Sequence, residues 1–281
     1  MVGKSLKKWW PVFVLPTLAA FIIGFLWPFI WGIYLSFCKF STVKDVVWVG
    51  LSNYQKIFIG GDFSHAFWLT VVFAFVSSIL INVLAFSIAL VLTKGYRGTN
   101  AFRTVFFMPN LIGGIVLGYI WQLIFNGILE KYGTALALNE WYGFWGLIIL
   151  VSWQQIGYMM IIYIAGIQNI PGELIEAAEI DGATKWQILK KVTIPMVMPS
   201  ITVCTFLTLT NSFKLFDQNL ALTNGEPSKM SEMLALNIFN TFYGRTGYEG
   251  VGQAKAVIFF ILVTVIALTQ NYLTRRKEVQ Q

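Results

Sequence analysis

Charged residues are scarce in this chain, and their scarcity is the first constraint on the class of protein. Of the 281 residues, 12% are charged and 57% are hydrophobic, whereas soluble domains carry about 25% charged and about 45–50% apolar residues. The apolar residues also form runs longer than the roughly 20 residues that an α-helix needs to cross the hydrocarbon layer. The sequence therefore predicts an integral membrane protein.

Histidine and cysteine are nearly absent, and this excludes several kinds of site. The single histidine, His65, is predicted in a hydrophilic loop, and Cys38 and Cys204 lie in or beside apolar runs. Two such cysteines predict neither a disulfide framework nor a thiolate metal site. The chain also lacks a Gly-x4-Gly-Lys-[Ser/Thr] motif and a Gly-x-Ser-x-Gly nucleophile turn. An intramembrane protease would need a nucleophile and a base held together, so we expect no catalytic residue, metal site or cofactor on this chain.

Six membrane-spanning helices are predicted from the long apolar segments. The first segment exceeds the 7–15-residue core of a cleavable signal peptide, so we interpret it as a span. Pro16, Pro28 and Pro109 lie within or near the spans, where kinks are tolerated if neighbouring groups satisfy the freed carbonyls. The prediction is an all-α membrane protein in which residues 1–281 form one transmembrane domain. Its spans cover about residues 11–37, 66–93, 102–125, 144–168, 196–220 and 253–273.

The net charge of +7 would suggest nucleic acid as the partner of a soluble protein, but here the positions of the basic residues indicate how the chain is oriented in the bilayer. Basic residues cluster in four short segments on one side of the predicted bilayer, and such segments remain in the cytoplasm. We therefore expect a multi-pass protein of a bacterial inner membrane, with both termini cytoplasmic and no nucleic-acid partner. The basic residues are Lys4, Lys7 and Lys8; Lys94, Arg97 and Arg103; Lys185, Lys190 and Lys191; and Arg275, Arg276 and Lys277.

The cytoplasmic loop between the fourth and fifth spans, residues 171–195, carries the strongest functional signal. Pro171 is pre-organised for a helix start, and the acids that follow it complement the positive end of the helix dipole. Gly182 is predicted to end this helix with a left-handed residue, and Thr184–Lys191 to form a second short helix. The first helix has an apolar side despite its cytoplasmic position, which predicts docking into a partner.

The spacing of this loop resembles that of ABC importer permeases. Glu-Ala-Ala begins at Glu176, three residues separate it from Gly182, and nine more precede Val192-Thr-Ile-Pro195. Val192 and Ile194 stand where the family pattern has Ile and Leu, and both changes are conservative. The resemblance implies a coupling helix that inserts into an ATPase subunit. The residues it assigns to ATPase coupling are Glu176, Ala177, Ala178, Asp181, Gly182 and Pro195.

Two further segments are similar to the carbohydrate branch, or maltose-type group, of these permeases. One is Leu222-Thr-Asn-Gly-Glu-Pro227, which departs from the usual Gly-Gly-Pro by one acid, and the other is Trp153-Gln-Gln-Ile-Gly-Tyr158. Polar residues at membrane depth are expected to face a protein or water interior, either as sugar contacts or as interhelical hydrogen bonds. The substrate-path residues implied by the resemblance are Gln155, Tyr158, Thr208, Asn211, Ser212 and Leu215.

The resemblance implies a transport subunit rather than an enzyme. The expected partners are a second homologous permease, two ATPase subunits that carry ATP and Mg²⁺, an extracellular solute-binding protein, a sugar and the lipid bilayer. External loops at about Gly225–Gly250 are the expected receiving surface for the binding protein. Two alternatives remain open: a secondary transporter with no ATPase, for which Asp217 is the main candidate ion site, and an ABC permease for a non-sugar solute. Lys214 and Asp217, at i and i+3, suit either a local ion pair or a substrate contact.

Overall fold

A computed structural model describes residues 2–42, 44–59 and 61–275 of this chain. The described residues confirm the predicted all-α fold class, because the only strands among them are one antiparallel pair of two residues each. The first part of the chain contains α1 (Val2–Phe21), a π-helical segment (Ile22–Leu26), α2 (Trp27–Ser36), β1 (Cys38–Lys39), β2 (Val47–Trp48), α3 (Ser52–Ile57) and α4 (Asp62–Leu92).

The remaining elements are helical and several of them are short. The central part contains α5 (Thr99–Phe107), a 3₁₀ segment (Met108–Leu111), α6 (Gly114–Leu129), two 3₁₀ turns (Glu130–Tyr132 and Leu136–Leu138) and α7 (Glu140–Gln168). The last part contains α8 (Gly172–Ile180), α9 (Lys185–Ile188), a π-helical segment (Leu189–Thr193), α10 (Ile194–Met196), α11 (Met198–Phe213), α12 (Asp217–Leu222), α13 (Leu234–Gly244) and α14 (Glu249–Arg275).

Four helices among the described residues are long and apolar enough to cross a membrane. They are Trp10–Ser36, Asp62–Leu92, Glu140–Gln168 and Glu249–Thr274, and they overlap the predicted first, second, fourth and sixth spans. The other two predicted spans coincide with bent helix pairs. Counting each bent pair as one span gives up to six spans.

The third predicted span, residues 102–125, is broken rather than continuous, and the prediction of one helix there is wrong. Thr99–Leu111 and Gly114–Tyr132 meet at 100°. Pro109 lies in the 3₁₀ segment before the break, and Ile112 and Gly113 take extended conformations. Because proline has no N–H and clashes with the preceding turn, the helix cannot pass through this point unchanged.

The fifth predicted span, residues 196–220, also requires correction. The segments Lys185–Met196 and Met198–Phe213 meet at 69°, with prolines at 195 and 199 on either side of the bend. α11 then ends at Phe213, and α12 begins only at Asp217. The apolar run on which the prediction depended therefore contains one bend, at residue 197, and one break between helices, at residues 214–216.

The described residues fall into two compact units. In the unit formed by residues 61–237 and 261–275, α4, α7 and α11 surround a core that includes Phe73, Leu150 and Met159. Small residues allow close packing here: a Cβ on Gly157 would overlap the carbonyl of Phe106. α7 and the α5 segment therefore approach each other through backbone rather than side chains.

The other unit comprises residues 2–59, apart from residue 43, and 238–260. Asn53 connects the end of α2 to the hairpin, since its Nδ2 donates to the carbonyls of Ser36 (2.9 Å) and Cys38 (2.8 Å). Lys255, which is 6% exposed, donates to Thr241 Oγ1 at 2.8 Å. A buried cation in a membrane-spanning helix thus has a polar partner within the same unit.

Candidate functional site

The loop between α7 and α11 begins with an exposed helix that ends at a defined turn. Pro171 is the N-cap of α8 rather than its first residue, a one-residue difference from the prediction. At the other end, the Gly182 N–H donates to the Glu179 carbonyl and the Ala183 N–H to the Ala178 carbonyl, both at 3.0 Å. Gly182 has a φ of +77°. This pair of bonds around a left-handed glycine is a Schellman C-cap.

The next helical segment, α9, begins at Lys185, three residues after Gly182, with Thr184 as its N-cap. The Thr184 hydroxyl accepts from the Gln187 N–H, and the Gln187 side chain accepts from the Thr184 N–H, which together form a capping box. α9 then continues through the π-helical segment Leu189–Thr193 into α10. The predicted helix Thr184–Lys191 is therefore present in part, but with a widened last turn. The Schellman cap at Gly182 and the capping box at Thr184 therefore fix the backbone on both sides of Ala183.

α8 presents its side chains to the outside of this chain. None of its residues is buried, and Leu174 and Ile180 are 43% and 86% exposed. Trp186 in α9 is 68% exposed. Of the predicted coupling residues, four are exposed (Glu176, Ala177, Asp181 and Gly182) and two are partly buried (Ala178 and Pro195).

The predicted substrate-path residues of α11, and Leu215 just after it, do not share one environment. Thr208 and Ser212 are fully buried, and their hydroxyls lie 2.9 Å from the hydroxyls of Ser78 and Ser77 on α4. Leu215 belongs to the hydrophobic core. These contacts are the interhelical hydrogen bonds that the sequence left open as an alternative.

Asn211 and Tyr158 are the two predicted substrate-path residues that this chain leaves exposed. Asn211 makes no side-chain hydrogen bond within the described residues, and Tyr158 packs its ring near Phe107 with centroids 6.5 Å apart. Gln155 is only 8% exposed, and its Oε1 atom has no hydrogen-bond partner there. A buried amide oxygen without a partner is costly, so Gln155 is a position where a water or a ligand hydroxyl would be stabilising.

A polar cluster on α4 and α7 was missed by the sequence reasoning. Asn82 Nδ2 donates to Thr208 Oγ1 at 2.9 Å, and its Oδ1 accepts from the hydroxyl of Tyr163 at 2.6 Å. The available signal was three polar residues, Ser77, Ser78 and Asn82, in an otherwise apolar span, with Ser78 and Asn82 one helical turn apart on the same face. This cluster joins α4, α7 and α11.

The carbohydrate-branch segment at residues 222–227 forms a turn organised by Asn219. This buried side chain donates to Thr223 Oγ1 (2.9 Å) and the Ser231 carbonyl (2.8 Å), and it accepts from the Met233 N–H (2.9 Å). Asn224 and Gly225 both have positive φ, 50° and 83°. Asparagine and glycine tolerate this conformation best, which explains why this turn carries these residues.

Three ionisable positions differ from the expectation. The local ion pair that the sequence suggested between Lys214 and Asp217 does not form. Both residues are exposed. Lys214 is the C-cap of α11, and Asp217 is the first residue of α12. His65 is not in a loop but in the first turn of α4, and its Nε2 lies 2.9 Å from the Met230 carbonyl. Within the described ranges, no three His, Cys, Asp or Glu residues are grouped as a metal site.

Proteins of similar sequence and fold are permeases. The chain is 44% identical over 280 residues to the "Probable starch degradation products transport system permease protein AmyD" of Thermoanaerobacterium thermosulfurigenes, covering 97% of this chain and 96% of that protein. It is 29% identical to the multiple sugar-binding transport system permease protein MsmF of Streptococcus mutans, with 99% of both proteins covered.

A solved structure shares the fold. A chain of a bacterial ABC transporter involved in the import of the acidic polysaccharide alginate superimposes with a TM-score of 0.81 at 22% identity, covering 98% of each chain. Residues 81–279 match the family described as "Binding-protein-dependent transport system inner membrane component". This match includes the loop between α7 and α11, the polar α11 and the turn at Asn219, and extends over more than half of the sequence. The chain therefore belongs to the family of inner-membrane components of binding-protein-dependent transport systems.

Proposed function

We propose that this chain is the permease subunit of an ATP-driven importer and forms half of the translocation path for a sugar or oligosaccharide. Family membership argues against a stand-alone secondary transporter, because a binding-protein-dependent system requires further subunits. In this proposal, residues 1–281 form one transmembrane domain with six spans. Both termini and the coupling loop 171–195 are cytoplasmic, in agreement with the positive-inside rule.

The observation that carries the proposal is the exposed helix α8, which ends in a Schellman cap and is followed by the capping box of α9. An isolated nine-residue helix is marginally stable in water, and α8 buries none of its residues against this chain. The Schellman cap at Gly182 and the capping box at Thr184 nevertheless fix its direction. A helix with apolar and small side chains held away from its own domain is suited to insertion into a cleft of another subunit. The proposed partner is the ATPase, with Glu176, Ala177 and Ala178 at the contact.

The proposed substrate class is supported by the relatives and by the chemistry of the exposed polar positions. The two relatives compared above are, by name, permeases for starch degradation products and for multiple sugars. Asn211 and Tyr158 offer an amide and a phenol, and such neutral groups suit sugar hydroxyls, while aromatic rings suit the apolar faces of sugar rings. Gln155 adds an amide oxygen without a partner.

The proposed assembly contains a second homologous permease, two ATPase subunits and an external solute-binding protein. ATP and Mg²⁺ would bind to the ATPase subunits, and this chain would carry no cofactor. The exposed turn residues Glu226 and Ser228, together with the loop that follows them, are the proposed receiving surface for the binding protein. Closure of the ATPase pair would move α8, and the bent segments at residues 112 and 197 would transmit that movement to the membrane helices.

Co-purification and uptake together test this proposal. The tagged chain, extracted gently from its native membrane, is expected to bring an ATPase, a second permease and a binding protein whose ligand is a carbohydrate. Glu176→Lys is expected to abolish uptake and release the ATPase, because it reverses a charge at the proposed contact. Glu130→Lys, the same change at an exposed residue outside the coupling loop, serves as the control and should retain both.

Two results would contradict different parts of the proposal. If Glu176→Lys leaves ATPase binding and uptake at the level of Glu130→Lys, the coupling role of α8 is wrong. If the subunits co-purify but the binding protein carries an amino acid or another non-sugar solute, the importer assignment stands and the sugar assignment is wrong.

A further inference from the structure

An open groove lies between the end of α4 and the start of α5, outside the coupling loop and the substrate-path residues. Its volume is about 410 Å³. α4 and α5 contribute the apolar lining, which includes Val91, Phe102 and Phe106, all between 37% and 56% exposed. The turn between the helices contributes Tyr96 and Arg97, and Thr99 begins α5.

The apolar lining requires an occupant with a hydrocarbon part. Phe102 and Phe106 are one helical turn apart on α5, so their rings extend one continuous face. Exposed aromatic rings beside an exposed valine pack favourably against a lipid acyl chain. A fully polar ligand such as a free sugar or inorganic phosphate would leave this surface uncovered.

The groove carries a positive charge, Arg97, that no described residue neutralises in an ion pair. No aspartate or glutamate occurs between residues 63 and 129, and Arg97 makes no ion pair or side-chain hydrogen bond within the residues that the structure describes. Thr99 begins a nine-residue helix whose N-cap, Gly98, provides no capping side chain. The Thr99 N–H donates to the Tyr96 carbonyl at 3.3 Å, and the positive dipole of that helix end favours an anion. One turn further along, Arg103 Nε is buried without a hydrogen-bond partner.

We propose that this groove is a binding site for one anionic phospholipid of the cytoplasmic leaflet. The lipid phosphate binds Arg97 and the N-terminus of α5, and an acyl chain lies along Phe102 and Phe106. The assignment to the cytoplasmic leaflet rests on the orientation proposed above. Basic pockets between membrane helices on the cytoplasmic side are suited to anionic head groups, because that leaflet carries the negative surface potential.

The test uses the purified transporter, with the subunits that accompany this chain, in detergent. Phosphatidylglycerol and phosphatidylcholine with identical acyl chains are added separately, and lipid retention is measured by native mass spectrometry alongside the melting temperature. The wild type is expected to retain one phosphatidylglycerol and to melt at a higher temperature with it than with phosphatidylcholine. Inorganic phosphate alone is expected to produce no shift.

Arg97→Gln and Lys94→Gln form a matched pair, because both remove one charge from the same exposed turn and only Arg97 lines the groove. Arg97→Gln is expected to weaken phosphatidylglycerol retention by about fivefold, whereas Lys94→Gln should retain it. Phe102→Ala provides a second variant that leaves the charge intact and should weaken retention of the acyl chain.

Three results would overturn the proposal. Equal losses in Arg97→Gln and Lys94→Gln would show general attraction to a basic surface. Equal retention of phosphatidylcholine and phosphatidylglycerol would show an apolar groove without head-group recognition. A thermal shift produced by inorganic phosphate alone would show a soluble anion site.

Discussion

At the scale of single residues, Gly182 fixes the direction of α8 through its backbone conformation. A Cβ at this position would meet no atom within 4 Å, so steric overlap does not explain the glycine. Its φ of +77° does, because a non-glycine residue held in the left-handed region costs about 1–3 kcal/mol. The glycine therefore preserves the two Schellman hydrogen bonds that close the helix.

We predict that Gly182→Val lowers uptake by about an order of magnitude or more, since the strain is enough to shift the loop to other conformations. Uptake is measured at matched membrane expression. Gly182→Asn should retain most of the activity, because asparagine tolerates positive φ. Gly172→Ala, at the first residue of α8 and also in open space, should behave as the wild type. Normal uptake by Gly182→Val would contradict the claim that uptake requires the left-handed backbone conformation of residue 182.

Local signals of this kind were readable in the sequence. The Gly182 turn and the start of the second helix at Thr184 follow from glycine and threonine preferences that involve residues only two or three positions away. The hydrogen-bond partners of Thr208 could not be predicted in this way. Its partners Ser78 and Asn82 lie on another helix. The sequence pattern of one helix does not show which other helix its polar face packs against.

At the scale of elements, α11 pairs with α4 through hydrogen bonds within the membrane region. Ser77 meets Ser212, and Ser78 and Asn82 meet Thr208. Interhelical hydrogen bonds in membrane proteins contribute about 0.6 kcal/mol on average and about 1.7 kcal/mol at most. The pairing therefore fixes the position of α11, while Asn211 on the same helix remains exposed.

We predict that Thr208→Val destabilises the protein by about 1–2 kcal/mol, because it keeps the shape of the side chain and removes two hydrogen bonds. Thermal unfolding of the purified transporter measures this loss, and the KM for uptake should stay unchanged. Asn211→Ala should show the opposite pattern, with an unchanged melting temperature and a raised KM. A raised KM without a stability change in Thr208→Val would instead place Thr208 in the substrate path.

Hydropathy predicted the straight helices of this chain but not the bends within the predicted spans. Hydropathy located the four long helices because each is one continuous apolar run. It could not locate the bends at residues 112 and 197, because the apolar run continues through both of them. Pro109, Pro195 and Pro199 mark these places, but a proline predicts a kink without its size. The angles of 100° and 69° depend on what the neighbouring helices pack against.

At the scale of the whole molecule, the two bent pairs determine the topology. If each pair crosses the bilayer, the chain has six spans, and residue 130 is external while residue 181 is cytoplasmic. If each pair returns to the side from which it entered, the chain has four spans, and these two positions exchange sides. The coupling proposal requires the six-span arrangement, because α8 must reach a cytoplasmic ATPase. The basic residues of the loop favour the same arrangement.

We predict six spans, and labelling of introduced cysteines with a membrane-impermeant maleimide measures this directly. Background labelling should be low because Cys38 and Cys204 are both 0% exposed. Lys44→Cys and Lys94→Cys are controls, since both are exposed and keep their sides, external and cytoplasmic, in either arrangement. Glu130→Cys should react in intact cells, and Asp181→Cys only after permeabilisation. The reverse result would give four spans, place α8 outside the cell and end the coupling proposal.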